Sequence, residues 1–474
     1  MVDSLRASKQ GLKIVDQARR KKGWNTDAPA WLTAAGDISR STLQRFRNGQ
    51  PIRQENFAAI CKAVGIENWE EIVDESSAQS TALPADFFAY DAAWVGRERL
   101  IEDLSNQLRG SCRVLILVGI TGIGKTALAE RLAVELEDWL QGDWNKLYIE
   151  NFDNEEQASD FASVARRWLE KWGETLTPEN RQDTRLLLSR LLKRLRENQY
   201  LVLMDSLEKI LKGNEEEGWS DFEDEWWERF FQSLLASDSC QSRLILTSQD
   251  LPKDLEERGS RYQNFWYCHP LDGLTQPEQL NLFEKTGLEV GTESQSYLKR
   301  IGTAYEGHPL ALRVIAGEIG NKPFYGNVVA YWNQYGHEIE EVEKAIEEGK
   351  TQAASADDQW QLDRYTRNLR RKVRSRLEKT FNRLKKDVFY AYVLLCEASV
   401  YRCPVSEDFW LSHLEDWDLP EDWDEENSQQ MLEALRDRYL VEEVIDNNQC
   451  LLRQHNLIRS VALERYRQLS EDDD

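Results

Sequence analysis

The chain has 474 residues, more than one hydrophobic core normally organises, so several domains are expected. Its formal charge of −24 argues against indiscriminate adhesion of the whole molecule to nucleic acid. Seven cysteines scattered singly exclude a disulfide framework and a paired-cysteine zinc site. With no signal-like start and no apolar run of about 18 residues, a cytoplasmic protein without a membrane partner is expected.

The charge is uneven. Residues 1–65 hold twelve Lys or Arg against five Asp or Glu, so a head of +7 precedes a body of −31. Such asymmetry marks a nucleic-acid-facing module or, more blandly, solvated helix faces. Within 1–75, "GLKIVDQARRKKGW" and "NFAAICKAVGI" read as helices, and "ISRSTLQRFRNGQPI" between them as a turn, a short helix and a Gly-Pro exit. Residues 76–92 are small, polar and proline-containing, a linker.

Over 93–270 the apolar runs "VLILVG", "KLYIENF", "YLVLMD" and "RLILTS" alternate with amphipathic helices. Continuous apolar strands are buried on both faces, which predicts a parallel sheet in an α/β layer architecture. "WWERFF" reads as core and "NEEEGWSDFEDE" before it as an acidic surface loop. Residues 271–340 form a helical unit, 341–365 a charged connector, and 366–474 a last helical block in which "YLVEEV" and "CLLRQH" flank "IDNNQ" as a hairpin. Helices followed by a two-stranded wing suggest a winged helix. No repeat with a period between 20 and 50 residues is present.

Gly119-Ile-Thr-Gly-Ile-Gly-Lys125-Thr126 satisfies G-x-x-x-x-G-K-[ST] between a strand and a helix. Glycines let backbone N–H groups close around phosphate oxygens, and the helix N-terminus adds its dipole. The candidate nucleotide residues are Gly119, Gly122, Gly124, Lys125, Thr126 and Ala127, with Lys125 on the outer phosphates and Thr126 on Mg²⁺. Asp205, ending a second apolar strand, is the other candidate metal ligand, and Glu208 a candidate to orient water. The same "DSLEKIL" also fits a helix-capping box with Glu208 at its third position.

"WVGRERLIEDL", the loop, "LVLMDSLE", "RLILTSQD", "EGHPLALRVIAGEI" and "LLRQHNLIRSVA", in that order, resemble the NB-ARC module of signal-transduction ATPases with numerous domains, the STAND class, over about 94–470. The resemblance implies an NTPase domain, a small helical domain and a winged helix closing over one adenine nucleotide. The implied cofactors are ATP or ADP with Mg²⁺, hydrolysis is slow, and the ATP state self-associates. It also implies that Val95 and Arg97 line the adenine pocket, Pro309 packs on the base and His455 reaches the β-phosphate. Three positions depart from the family pattern: Gln249 replaces an arginine, Ser206 replaces a second acid or Asn, and Gln454-His455-Asn456 replaces Met-His-Asp. An origin-recognition-like AAA+ ATPase is the alternative, with Arg313 as its candidate lid arginine. A defence or cell-death switch is a third reading.

Residues 24–66 resemble the helix-turn-helix of phage-repressor-like proteins. That resemblance implies Ser39, Arg40, Ser41, Gln44 and Arg45 facing DNA, with Arg47 and Arg53 on phosphates. A protein effector is the competing partner for the same head.

Overall fold

The structure, a computed structural model, describes residues 4–22, 29–36, 38, 40–47, 52–66, 68–73, 94–153, 157–214, 218–251, 262, 264–353, 359–415, 417, 419–420, 423–446 and 449–472. Five parallel strands form the central sheet in the spatial order Leu147–Asn151, Leu201–Asp205, Arg243–Ser248, Val114–Val118 and Trp266–Pro270. Successive residues of a strand point to opposite faces. Leu115, Leu117, Leu201, Leu203 and Ile245 therefore enter one core, while Val114, Ile116, Val202, Met204, Leu244 and Leu246 enter the other. Both faces are covered, which is why these strands read as unbroken apolar runs. Helices Glu98–Arg109 and Lys125–Glu135 cover the first face. Phe161–Lys171, Thr184–Glu197 and Glu225–Ala236 cover the second, and Trp227, Phe230 and Phe231 are buried there as expected. The stretch read as an acidic loop instead begins as a strand pair, Leu211–Asn214 antiparallel to Gly218–Phe222. Phe222 supplies the reason, since its buried ring stacks on Phe231.

Helices Gln276–Lys285, Thr292–Ala304 and Pro309–Gly320 pack on the first core. The charged stretch 341–365 is largely helical, because Val328–Ala353 runs into it and Gln359–Asp387 begins within it. Charges four apart, such as Glu340 and Lys344, support a solvated helix as readily as a loop. A buried ion network joins three of these helices. Glu318 on Pro309–Gly320 accepts from Arg376, Arg383 and, at 2.5 Å, Thr380 Oγ1, all on Gln359–Asp387, and from Tyr331 Oη at 3.3 Å. Burial pushes the Glu318 carboxyl up, but Arg376 and Arg383 outweigh it and hold the group below its ordinary value. The residue before it, Gly317, meets backbone: a Cβ there would lie 2.7 Å from Arg438 Cα.

The C-terminal unit has its own core, built from Gln359–Asp387, Phe389–Glu397, Glu425–Asp437 and Asn456–Asp472. The hairpin expected around "IDNNQ" is present as Glu442–Asp446 paired with Gln449–Arg453, and Val405–Ser406 adds a third strand. The N-terminal unit packs Trp31, Leu43, Phe46, Phe57 and Ile60 into a separate core from helices Lys9–Lys21, Pro29–Ala34, Arg40–Arg47 and Gln54–Ala63. Its helix Arg40–Arg47 rests on the C-terminal unit: Thr42 Oγ1 donates to Glu433 Oε2 at 3.2 Å, and Arg45 pairs with Glu443. Arg436 holds both glutamates from behind, at 2.5 Å from Glu433 and 2.9 Å from Glu443. Ser39 lies outside the described residues, as do the side chains of Arg40, Ser41, Gln44 and Arg53. No helix among the described residues is long and apolar enough to cross a membrane.

Candidate functional site

The glycine loop runs from the end of strand Val114–Val118 to the start of helix Lys125–Glu135. Gly119 N donates to Ser248 O at 3.1 Å, which ties the loop to the neighbouring strand. Gly122 and Gly124 have φ of 84° and 96°, left-handed values that favour glycine, and Gly124 is the residue at which the helix begins. Ala127 follows in the first turn of that helix. The Lys125 ammonium lies inside the loop, donating to Gly119 O at 2.8 Å and Ile120 O at 3.2 Å. Burial lowers its pKa, and the nearby carboxylates of Glu208 and Asp205 oppose that shift.

Asp205 stands one strand away from the loop strand, yet its Oδ1 accepts from Thr126 Oγ1 at 2.8 Å and from Thr247 Oγ1 at 2.5 Å. Burial raises the Asp205 pKa and those two hydroxyls oppose it. A hydroxyl beside a carboxylate is the hard-oxygen pair that Mg²⁺ accepts, so Thr126 and Asp205 fit the ion. The capping box is not formed: Ser206 begins the following 3₁₀ turn without a side-chain cap, and Asp205 Oδ1 is engaged by Thr126 and Thr247. Glu208 is buried and held by one residue, with Gln249 N–H on Oε2 at 3.1 Å and Gln249 Nε2 on Oε1 at 3.0 Å. Burial raises its pKa against the pull of Lys125.

Groups from three other segments converge on the loop. Arg97, itself left-handed at φ 65°, donates from Nη2 to Ile123 O and Asp272 O, both at 2.9 Å, while its own N–H meets Glu278 Oε1 at 2.6 Å. Val95 is buried in the same core as Ile123 and Leu271. Pro309 opens helix Pro309–Gly320, but its neighbours make the contact: a Cβ on Gly122 would lie 2.8 Å from His308 Cε1 and 2.9 Å from Leu310. His308 Nδ1 accepts from Ala311 N–H at 3.3 Å, so the proton sits on Nε2 and is donated to Thr121 O at 3.0 Å. Burial lowers the His308 pKa to about 3, so the ring is neutral at physiological pH. His455 comes from the C-terminal unit. Leu457 N–H donates to its Nδ1 at 3.2 Å, which assigns the proton to Nε2. Its pKa is lowered by burial, opposed by Glu442 and reinforced by Arg453 and Lys125.

The sequence reading passed over His308, Thr247 and Asp153. A polar residue directly before a helix-initial proline, as in "GHPLAL", is a cap signal that could have singled out His308. The threonine hydroxyl one residue before the end of "RLILTS" was visible without its role. Asp153 carries no local signal. Arg313 lies with its Cζ 5.0 Å from the Tyr439 ring centroid and acts electrostatically on Glu442, facing the C-terminal unit.

Residues 93–245 match the family model of the AAA ATPase domain, a span that holds the glycine loop, Asp205 and Glu208. A WD repeat-containing protein of Nostoc sp. (strain PCC 7120) is 28% identical over 360 residues, covering 67% of this chain. The chain spans 28% of that relative's length. Among solved structures, the ORC2 protein of Aeropyrum pernix aligns over 84% of this chain and 98% of its own at 12% identity and a TM-score of 0.33. The ORC1 protein of the same organism, in complex with DNA, aligns over 80% and 94% at 15% identity and a TM-score of 0.34.

Proposed function

We propose that this chain, which carries an AAA-type P-loop ATPase domain with additional helical regions, is a nucleotide-dependent switch of the NB-ARC type, closed on ADP and open on ATP. Lys125 would take the outer phosphates, and Thr126 and Asp205 would hold Mg²⁺, which supplies charge neutralisation there. Val95, Arg97 and Pro309 are the proposed adenine contacts. Gln249 binds Glu208 through two hydrogen bonds, so the proposed water-orienting acid is already engaged, and turnover well below about 1 s⁻¹ is expected.

The observation that carries the reading is His455. It belongs to the proposed winged helix, yet it is half-buried, interacts electrostatically with Lys125 and holds its proton on Nε2. A donor from a distant unit that reaches the β-phosphate in one state only is what a switch requires. His455→Ala is expected to speed ADP release about tenfold or more, the effect of losing one hydrogen bond to a charged group, while ATP binding persists. Stopped-flow release of a fluorescent ADP analogue reads this directly. Identical off-rates in variant and parent would reduce His455 to a packing residue. The origin-recognition-like alternative needs Arg313 at the γ-phosphate, and the contact of Arg313 with Tyr439 weighs against it.

The proposed partner of the helix-turn-helix head is duplex DNA, supported by its +7 balance. Arg45 is paired with Glu443 and Thr42 with Glu433, so the same helix serves either the C-terminal unit or a phosphate backbone. In the full chain, Glu433→Ala/Glu443→Ala is expected to raise affinity for a mixed duplex pool several-fold at low salt, with a steep loss on adding salt. If neither parent nor variant retards any duplex, a protein effector becomes the partner.

A further inference from the structure

Asp153 lies in the turn after strand Leu147–Asn151 and belongs to none of the motifs that define the nucleotide site. Its position is fixed from both sides: Asp153 N–H donates to Asn151 Oδ1 at 2.9 Å, and Phe152 N–H donates to Asp205 O at 3.1 Å. One carboxylate oxygen, Oδ2, then accepts twice, from Ser206 Oγ at 2.5 Å and from Asn456 Nδ2 at 2.6 Å. The other, Oδ1, faces Lys209 Nζ at 3.5 Å. Asn456 starts the last helix of the C-terminal unit, directly after His455. Ser206 follows Asp205, and its N–H donates to Thr247 Oγ1 at 3.0 Å, the same hydroxyl that donates to Asp205. A continuous chain of hydrogen bonds thus runs Asp205, Thr247, Ser206, Asp153, Asn456.

We infer that Asp153 is a positioning residue, the latch by which the nucleotide domain holds the C-terminal unit, and that Ser206 and Asn456 are its matched donors. Both present a donor to Oδ2, and a carboxylate at either position would stand against that of Asp153 as a like-charge contact. The pair therefore works as a set with the acid at position 153. The latch rests on the switch reading only where it concerns nucleotide release.

The test is a charge-swap cycle in the full chain with two readouts. Hydrogen exchange at the amides of 459–465 in nucleotide-free protein reports opening of the last helix, and release of a fluorescent ADP analogue reports coupling to the site. Asn456→Asp and Asp153→Ala should each accelerate both by about tenfold or more, the scale of one charge-assisted hydrogen bond. In Asp153→Asn/Asn456→Asp the amide nitrogen can take the place of Oδ2 and donate both to the carboxylate introduced at position 456 and to Ser206 Oγ, which then accepts, while the amide oxygen faces Lys209, so both rates should return to within about threefold of the parent. A double variant as open as Asn456→Asp, or an Asp153→Ala protein that matches the parent, would overturn the latch. A parent that binds no ADP would sink the switch reading instead, and the exchange arm would still decide the latch.

Discussion

Lys125→Ala is expected to weaken ADP binding by roughly 30-fold to several-thousand-fold, the range that follows from removing one partner of a buried, hydrogen-bonded charge pair at about 2–5 kcal/mol. The ammonium is buried and positioned by Gly119 O and Ile120 O, so it would meet a phosphate without competition from bulk water. Arg97, a second cation at the loop, spends its guanidinium on Ile123 O and Asp272 O and cannot take over. Removing the ammonium also strips Glu208 and Asp205 of a cation that opposes their upward shift. Isothermal titration of nucleotide-free protein measures the loss. Undiminished affinity would mean that the glycine loop is not where the phosphates sit.

The second large effect concerns stability. Glu318→Ala is expected to cost about 3–5 kcal/mol, because it leaves the fully buried Arg376 without its main counter-charge. Arg383 retains Glu338 at 2.6 Å and Arg376 keeps the same acid only at 3.3 Å, so the loss falls mainly on Arg376. Replacing the pair together, as Glu318→Leu/Arg376→Met, should recover most of the loss, since a buried ion pair and an apolar pair of similar volume are close in energy. Urea unfolding followed by circular dichroism would show a lower midpoint at an unchanged slope for the single variant. If the double variant is as unstable as the single, packing around Glu318 and not charge pairing is what the network contributes.

The sheet strands were legible because burial on both faces leaves an apolar run, and the loop because its spacing is chemically constrained. Their spatial order was not, since nothing within "RLILTS" tells that it lies between the loop strand and the acid strand. The same limit governed the site. Thr126 and Asp205 could be named from type and position, but Thr247 enters only through that strand order. Gln249 could be seen as a replaced arginine. That it occupies Glu208 depends on a contact between residues 41 positions apart. Local charge misled over 341–365, where periodic Glu and Lys fit a connector and a solvated helix equally well.

At Gly317 the helical unit and the C-terminal unit meet main chain to main chain, with no side chain between them that could change rotamer and take up slack. A joint of that kind has almost no graded compliance, because packed interfaces are bistable and not continuously deformable. The population should therefore divide between seated and released molecules, and a partial stimulus would change how many molecules are open and leave the degree of opening of each the same.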